Sequence, residues 1–316
     1  AASDVYKRQE ITNTSGTFAW ANDNSTLFYT NRDTQTLRND KIFKHKIGDN
    51  TVNDKLVFHE TDETFYTNVS KSKSKKFIII SSSSTLTSEF QFLLSDKPDD
   101  QFTLFKKRER GVEYSISHFE DHFYIITNKD DAFNYKLLRT ELKNTSSENW
   151  IEVIEHRENV LIEGIDIFKD FLVVSERFNG LNRINIKPWN GSESYYLKFE
   201  SETFSCYTTG NLDFSSKKVR YAYTSLNEPH SIVDFDMVSK EKKILKRNQV
   251  LDDNFNTFEH VIDCLVAICD HTPIQAEQCA LLTHINGKCD ILRGEISELK
   301  LFKEDLELYG LNVQIL

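Results

Sequence analysis

Short apolar runs separated by polar turns fill the chain from residue 17 to about residue 250. Each run holds five or six residues rich in Phe, Tyr, Ile and Val, a composition typical of β-strands. The clearest examples are Thr26–Thr30, Phe77–Ser81, Phe123–Thr127, Phe171–Ser175 and Val219–Thr224. These runs recur about every 48 residues, and a second amphipathic strand and a short third strand follow each of them.

This spacing predicts the fold of the first part of the chain. Repeats of roughly 40–50 residues with three or four antiparallel strands are typical of β-propeller blades. The sequence therefore predicts about five blades, whereas a β-sandwich would not give so even a spacing. The blades are expected to start near Phe18, Phe65, Tyr114, Ile165 and Tyr207.

Beyond residue 250 the apolar positions change to helical spacing. Asn256 with Glu259 forms a possible capping box ahead of one helix, and Thr272-Pro273 with Gln275 opens a second that ends near Gly287. A third helix is predicted over Ser297–Tyr309, and strands are predicted over Cys289–Leu292 and Leu311–Ile315. The predicted fold class is thus mainly β, with a partial propeller of about five blades followed by a small α+β domain.

Charge supports the same division. The chain has 39 basic and 49 acidic residues and a net charge of −10, yet residues 252–316 alone hold twelve acidic and four basic ones. This balance argues against nucleic acid or an anionic membrane as the main partner. No run approaches the roughly 20 apolar residues of a membrane span, so a soluble chain in the cytoplasm is expected.

Few residues suggest chemistry on their own. The five cysteines are Cys206, Cys264, Cys269, Cys279 and Cys289. Four of them fall close together near three histidines, so a zinc site was weighed; their spacing lacks the tight pairs of structural zinc sites, and no metal or cofactor is predicted. The chain also has no G-x-S-x-G, Walker or G-x-G-x-x-G motif, and no catalytic residue stands out.

Four segments of the first part resemble one known family. They are NTSGTFAWANDNSTLFYT, TDETFYTNVSKSKSKKFIIISSSSTLTSEF, EYSISHFEDHFYIITN and LVVSERFNGL, which start at Asn13, Thr61, Glu113 and Leu172. They resemble the propeller of oligopeptidase B, a serine peptidase of the prolyl oligopeptidase family. The resemblance implies a propeller that restricts access to a separate α/β-hydrolase domain, which carries the catalytic residues. It therefore implies that residues 10–250 are an incomplete, non-catalytic propeller, while residues 1–9 are interpreted as a cloning or assembly scar.

Residues 251–316 resemble a second family, the ClpS adaptors that deliver N-degron proteins to the ClpAP protease. The matching segments are DDNFNTFEHVIDCL, QAEQCALLTH and GKC, which start at Asp252, Gln275 and Gly287. The resemblance implies a pocket for a bulky apolar first residue and polar groups for its α-ammonium. It assigns these roles to Asp252, Asp253, Phe258, Val261, Ala280, Thr283 and His284. Glu295 and Lys300 match positions that face a ClpA-type unfoldase.

Each of these residues also has a plainer interpretation. His284, taken alone, is the histidine of a helix end, Asp252 and Asp253 form a solvated turn, and Phe258 belongs to a core. The family usually has Asn before Asp where this chain has Asp252, which cannot donate a hydrogen bond as an amide would.

The two resemblances meet at Val250–Asn256. The hypothesis is a chimera of two components of proteolysis, in which Lys243–Val250 would supply the first strand of the adaptor. Three functions stay open: an adaptor that binds N-degrons, an inert fragment, and a serine-type peptidase.

Overall fold

The computed structural model describes residues 11–226, 228–247, 249–251 and 256–315. Five four-stranded antiparallel sheets succeed one another along the chain, as expected for a partial β-propeller, and a small region of helices and short strands follows them. The chain divides into two units. The first runs to residue 167 and includes residues 212–214, and the second contains residues 168–211 and those from 215 onward.

The first unit holds three complete sheets. Sheet 1 contains β1 (Thr14–Trp20), β2 (Thr26–Arg32), β3 (Asn39–Lys46) and β4 (Lys55–His59). Sheet 2 contains β5 (Tyr66–Lys71), β6 (Phe77–Ser83), β7 (Ser88–Leu94) and β8 (Thr103–Lys106). Sheet 3 contains β9 (Tyr114–Phe119), β10 (His122–Thr127), β11 (Lys136–Glu141) and β12 (Ile151–Ile154). The unit ends with β13 (Val160–Ile167).

Strand β6 shows why these runs are apolar at every position. Successive side chains of a strand point to opposite faces of its sheet. Ile78 and Ile80 join one buried cluster with Phe28 and Ile42 of sheet 1. Phe77 and Ile79 join another, with Phe123 of sheet 3 among its members. Both faces of the middle sheet are therefore buried, which removes the alternation of polar residues seen in half-exposed strands.

The second unit contains the remaining strands of the repeat. They are β14 (Phe171–Phe178), β15 (Leu181–Pro188), β16 (Tyr195–Tyr196), β17 (Phe204–Thr208), β18 (Lys218–Ser225), β19 (Ser231–Asp236) and β20 (Lys242–Arg247). Strands β17 to β20 form one sheet in sequence order. The buried core of this unit is shared by β14, β15 and β18. It includes Val173, Ile186, Val219 and Tyr221.

The C-terminal module, described over residues 249–251 and 256–315, has its own sheet and core. Its elements are β21 (Gln249–Leu251), α1 (Phe258–Cys269), α2 (Pro273–Asn286), β22 (Lys288–Cys289), α3 (Ile296–Leu308) and β23 (Val313–Gln314). The strand order is β22-β21-β23. The core cluster draws on all three helices and the last strand through Leu265, Ala276, Leu306 and Val313. No helix among the described residues is both long and apolar enough to cross a bilayer.

The structure confirms the fold class and the five sheets, and it corrects details of the module. The predicted capping box at Asn256 is wrong: the Asn256 amide donates to the carbonyl of Gly310 at 2.9 Å, and Thr257 is the N-cap that accepts from the His260 amide. The box of Thr272 and Gln275 is confirmed.

The strand predictions for the module are confirmed in place but not in length. Strand Cys289–Leu292 is reduced to Lys288–Cys289, because His271 binds the Ile291 carbonyl and takes that group out of sheet pairing. The last strand is Val313–Gln314 in place of Leu311–Ile315, since the Leu311 amide closes the end of α3 by bonding to Leu306.

The expected first adaptor strand is divided between two sheets. Residues Lys242–Arg247 pair with β19 in the last sheet of the repeat, and only Gln249–Leu251 pairs with β22 and β23. The register of β20 shifts between Ile232 and Val233 on its partner strand. The boundary between the two folds therefore falls inside the segment from which a single strand was expected.

Candidate functional site

The first two helices of the module form a hairpin. Asp270 ends α1 in the left-handed conformation with φ of 53°, and the Thr272 capping box starts α2 two residues later. Because the connection is so short, the helices pack against each other and run in opposite directions. Phe258 and His284 are equally far along the chain from His271, so the start of α1 lies beside the end of α2.

The sequence-predicted pocket residues on this hairpin are all at least partly buried. Ala280 and Thr283 of α2 are buried, with 3% and 5% of their surface exposed, and Val261 of α1 packs against the core cluster of the module. Phe258 is half-buried at the first position of α1. Small and β-branched side chains at these positions are suited to the wall of an apolar pocket.

The polar members of the predicted site are described only in part. His284 is exposed in the last turn of α2, where the partial negative charge of the helix end favours a cation or a hydrogen-bond donor. Asp252 and Asp253 lie outside the described residues, so their roles stay predictions. A neutral imidazole has one nitrogen that donates a hydrogen bond and one that accepts, so the His284 side chain can accept one hydrogen bond.

The two residues predicted to face an unfoldase lie at the start of α3. Glu295 is the N-cap of that helix, and its side chain makes no capping hydrogen bond. Lys300 is exposed in the next turn. Both side chains are therefore directed to solvent, as a contact with another protein would require.

One cluster in the same module was not predicted from the sequence. His271, Cys279 and Cys289 come together beside α2, whereas their sequence spacing bears only on a zinc site. Across the described residues, no three histidine, cysteine or carboxylate side chains are arranged to hold a metal ion. The available signal was the pair of segments QAEQC and GKC, which were used only as marks of resemblance.

A serine–histidine pair lies among the described residues of the first unit. Ser74 Oγ lies 2.7 Å from His118 Nδ1, the bond length of a nucleophile and its base. His118 is only 6% exposed, and burial lowers its pKa to about 4, with the charge of Lys76 as the next cause. Ser74 also bonds to Ser72 within the same hairpin. This contact holds the half-buried Ser74 and its turn against the buried His118 of β9.

A second buried histidine has a carboxylate partner. His45 Nδ1 lies 2.7 Å from Asp54, whose other oxygen accepts from the Tyr29 hydroxyl at 2.8 Å. His45 is 4% exposed, and the group ties β3 to the short turn before β4. These buried side chains satisfy one another's hydrogen bonds, so they hold a loop in place and are not arranged to bind a substrate.

Comparisons with known proteins match these two parts separately. Residues 2–248 match the family model described as the N-terminal β-propeller domain of prolyl oligopeptidase, and residues 247–313 match that of the ATP-dependent Clp protease adaptor protein ClpS. The first match begins inside the segment interpreted as a scar, which lies outside the described residues.

Similar curated proteins are peptidases. The chain is 34% identical over 240 residues to dipeptidyl aminopeptidase BI of Pseudoxanthomonas mexicana, with 76% of this chain and 33% of that protein covered. It is 30% identical over 231 residues to protease 2 of Moraxella lacunata, with 73% and 33% covered. The chain thus spans about a third of the length of these relatives.

Similar solved structures give the same architecture. Oligopeptidase B from Trypanosoma brucei, with covalently bound antipain, matches with a TM-score of 0.71 and 25% identity over 77% of this chain and 37% of that one. Oligopeptidase B from Leishmania major matches with a TM-score of 0.70 and 24% identity over 79% and 38%. The latter likeness concerns the fold alone.

Proposed function

This chain belongs to the prolyl oligopeptidase N-terminal β-propeller family and carries a ClpS-like region after its propeller, and from that premise we propose that it is a non-catalytic adaptor. The C-terminal module binds proteins by a bulky apolar first residue and presents them to a ClpA-type unfoldase. The observation that carries this proposal is the α1–α2 hairpin, which sets buried small residues beside an exposed histidine.

The chemistry of the ligand follows from the residues. A free N-terminus is an ammonium group, which donates hydrogen bonds and needs acceptors. His284 is assigned as one acceptor and Asp253 as the other, and a carboxylate gives the stronger, charge-assisted bond. The aliphatic wall of Val261 and Ala280 receives the first side chain, and Phe258 covers the entrance.

Two further roles belong to the same proposal. Glu295 and Lys300 present opposite charges on an exposed helix start, which suits an oriented contact with the unfoldase.

The cytoplasm is the proposed location, because all five cysteines are thiols, the form kept by a reducing compartment.

Binding of labelled peptides to the whole 316-residue protein tests the adaptor role. A peptide that begins with Phe should bind, and the same peptide that begins with Gly should not. His284→Ala should weaken binding by about ten- to a hundredfold, the range for a lost hydrogen bond to a charged group. The matched control is Gln278→Ala, an exposed polar residue of the same helix. Equal affinity of both variants would show that His284 is not part of the site.

The family of the propeller suggests a second function, hydrolysis of peptides. We propose that this chain does not catalyse it, because no resemblance assigns a nucleophile to its residues and the histidine of the described serine–histidine pair is buried. The propeller is proposed to act as a scaffold for the adaptor module.

A further inference from the structure

Two cysteines of the C-terminal module converge on one backbone carbonyl. Gly287 ends α2 in the left-handed conformation, with φ of 75°, and turns the chain back along the helix. The returning segment places Cys289 opposite Cys279. The Asp290 carbonyl oxygen accepts from both thiols, with distances of 3.8 Å to Cys279 Sγ and 3.5 Å to Cys289 Sγ.

A histidine completes the group. His271 Nε2 lies 2.8 Å from the carbonyl oxygen of Ile291. A carbonyl oxygen only accepts, so Nε2 carries the proton, and neutral His271 keeps Nδ1 as an acceptor. Proximity to Cys279 raises the pKa of the His271 imidazole. The buried Nδ1 atom makes no hydrogen bond of its own, so it is the atom of His271 that can receive the Cys279 proton.

These two thiols differ from the other three. Cys206, Cys264 and Cys269 are buried, whereas Cys279 and Cys289 are half-buried. Burial raises the pKa of Cys269 to about 12. The neighbouring Cys289, together with His271, lowers the pKa of the Cys279 thiol, and the same contact raises that of Cys289. Thiolate character combined with partial exposure is the usual setting of a reactive cysteine.

We propose that Cys279 and Cys289 are a redox-active dithiol, which hydrogen peroxide converts into a disulfide within the module. Cys279 is the attacking thiolate, Cys289 is the resolving thiol, and His271 positions the proton of the first.

The reaction balances in two steps. The Cys279 thiolate attacks one peroxide oxygen, the O–O bond breaks, and Cys279 becomes a sulfenic acid while the departing hydroxide takes a proton to form water. Cys289 then loses its proton, its sulfur attacks the Cys279 sulfur, and the expelled hydroxide leaves as a second water. Two thiols have lost two electrons, and one peroxide has been reduced to two waters. A dithiol reductant reverses the step by exchange.

The direct test is oxidation of the full-length protein with stoichiometric hydrogen peroxide. Remaining thiols are then alkylated, and the digest is analysed by mass spectrometry without reduction. The proposal predicts a Cys279–Cys289 cross-linked peptide, two hydrogens lighter than the separate peptides and cleaved by dithiothreitol. A folded protein that yields no such cross-link would overturn it.

Single-residue variants distinguish the roles proposed for Cys279, Cys289 and His271. Cys289→Ser should stop the reaction at a sulfenic acid on Cys279, which dimedone traps, and Cys279→Ser should abolish both products. Cys264→Ala, a control in the same module, should leave the cross-link unchanged. His271→Gln should shift the pH profile of Cys279 alkylation upward, which a purely structural role would not do.

A measurement on the unmodified protein covers the case in which a variant fails to fold. At pH 7, iodoacetamide should alkylate Cys279 at least about tenfold faster than Cys264 or Cys269, because only the thiolate reacts. Equal rates at the three cysteines would contradict the proposal.

Discussion

The Thr283 hydroxyl donates a 2.7 Å hydrogen bond to the carbonyl oxygen of Cys279, one turn earlier in α2. Thr283 is 5% exposed, so this bond satisfies a polar group inside the module. The hydroxyl is therefore engaged within the helix. Thr283 can therefore contribute to the proposed pocket only through the shape of its side chain.

Replacing Thr283 by Val tests that distinction. Valine keeps the branched shape and removes the hydroxyl, while the Cys279 carbonyl keeps its place in the helical ladder. We expect the affinity for a Phe-initiated peptide to change by less than twofold and the free energy of unfolding to change by less than about 1.5 kcal/mol. Peptide titration and urea unfolding measure the two effects. A tenfold loss of affinity with unchanged stability would mean that the hydroxyl contacts the ligand.

Enlarging Ala280 should have the opposite effect. Ala280→Leu adds three carbon atoms at a buried wall position, which fills the pocket and costs about 1–3 kcal/mol of stability. Binding of the same peptide should weaken at least about tenfold. Ala267→Leu, on the exposed side of α1, is the matched control and should bind normally. If Ala280→Leu binds as well as its control, the pocket does not lie at this position.

In the first unit, Lys73 and Asp166 form an ion pair of 2.5 Å with about a fifth of each side chain exposed. Asp166→Asn leaves the lysine partly buried beside a neutral group. We expect a loss of about 1–3 kcal/mol in the free energy of unfolding, measured with urea. The more exposed pair of Lys303 and Glu307 is the comparison, and Glu307→Gln should cost no more than about 0.5 kcal/mol. Equal effects of the two variants would contradict this ranking.

His118 should make stability depend on pH. Its pKa falls from its ordinary value of 6.5 to about 4 in the folded protein, so the unfolded chain binds the proton more tightly. The stabilisation from the neutral ring is present above pH 6.5 and is lost as the pH falls towards 4, by up to about 3 kcal/mol. Urea unfolding at pH 7.5 and 5.0 measures the loss. His118→Gln should show a smaller loss than the native protein, and parallel profiles would exclude the histidine as the cause.

No hydrolysis of an arginyl amide substrate is expected from the pure protein. His118 is buried beside Ser74, and no resemblance assigns a nucleophile to this pair. A fluorogenic assay at high protein concentration measures the activity. Turnover that disappears in Ser74→Ala would show that this pair acts as a catalytic centre after all.

The strands were predictable because each apolar run in the sequence corresponds to a stretch of side chains that is buried in its sheet. In β6 the unbroken run from Phe77 to Ile80 reports burial on both faces, and this signal repeats in each sheet. Helix ends were predicted where a local motif decides them, as at Thr272 and before Gly310, and missed where a distant group intervenes, as at Asn256.

The candidate site was predictable only through resemblance. Ala280 and Thr283 carry no chemical signal in the sequence, and their burial depends on how α2 packs within the module. The cluster of His271, Cys279 and Cys289 was missed because it depends on how the chain returns after Gly287. Cysteine spacing in a sequence is compared with the spacing of known metal-binding motifs. Two cysteines that donate to the same backbone carbonyl follow no such motif.

The central claim is that the module recognises a free N-terminus on a bulky first residue. Calorimetric titration of the full-length protein with a Phe-initiated peptide, and with the same peptide acetylated at its α-amino group, tests it most directly. The account predicts binding of the free peptide and at least about a hundredfold weaker binding of the acetylated one, because acetylation removes the cation and two of its donors. Equal binding of the two peptides, or no binding of the free one to folded protein, would contradict it.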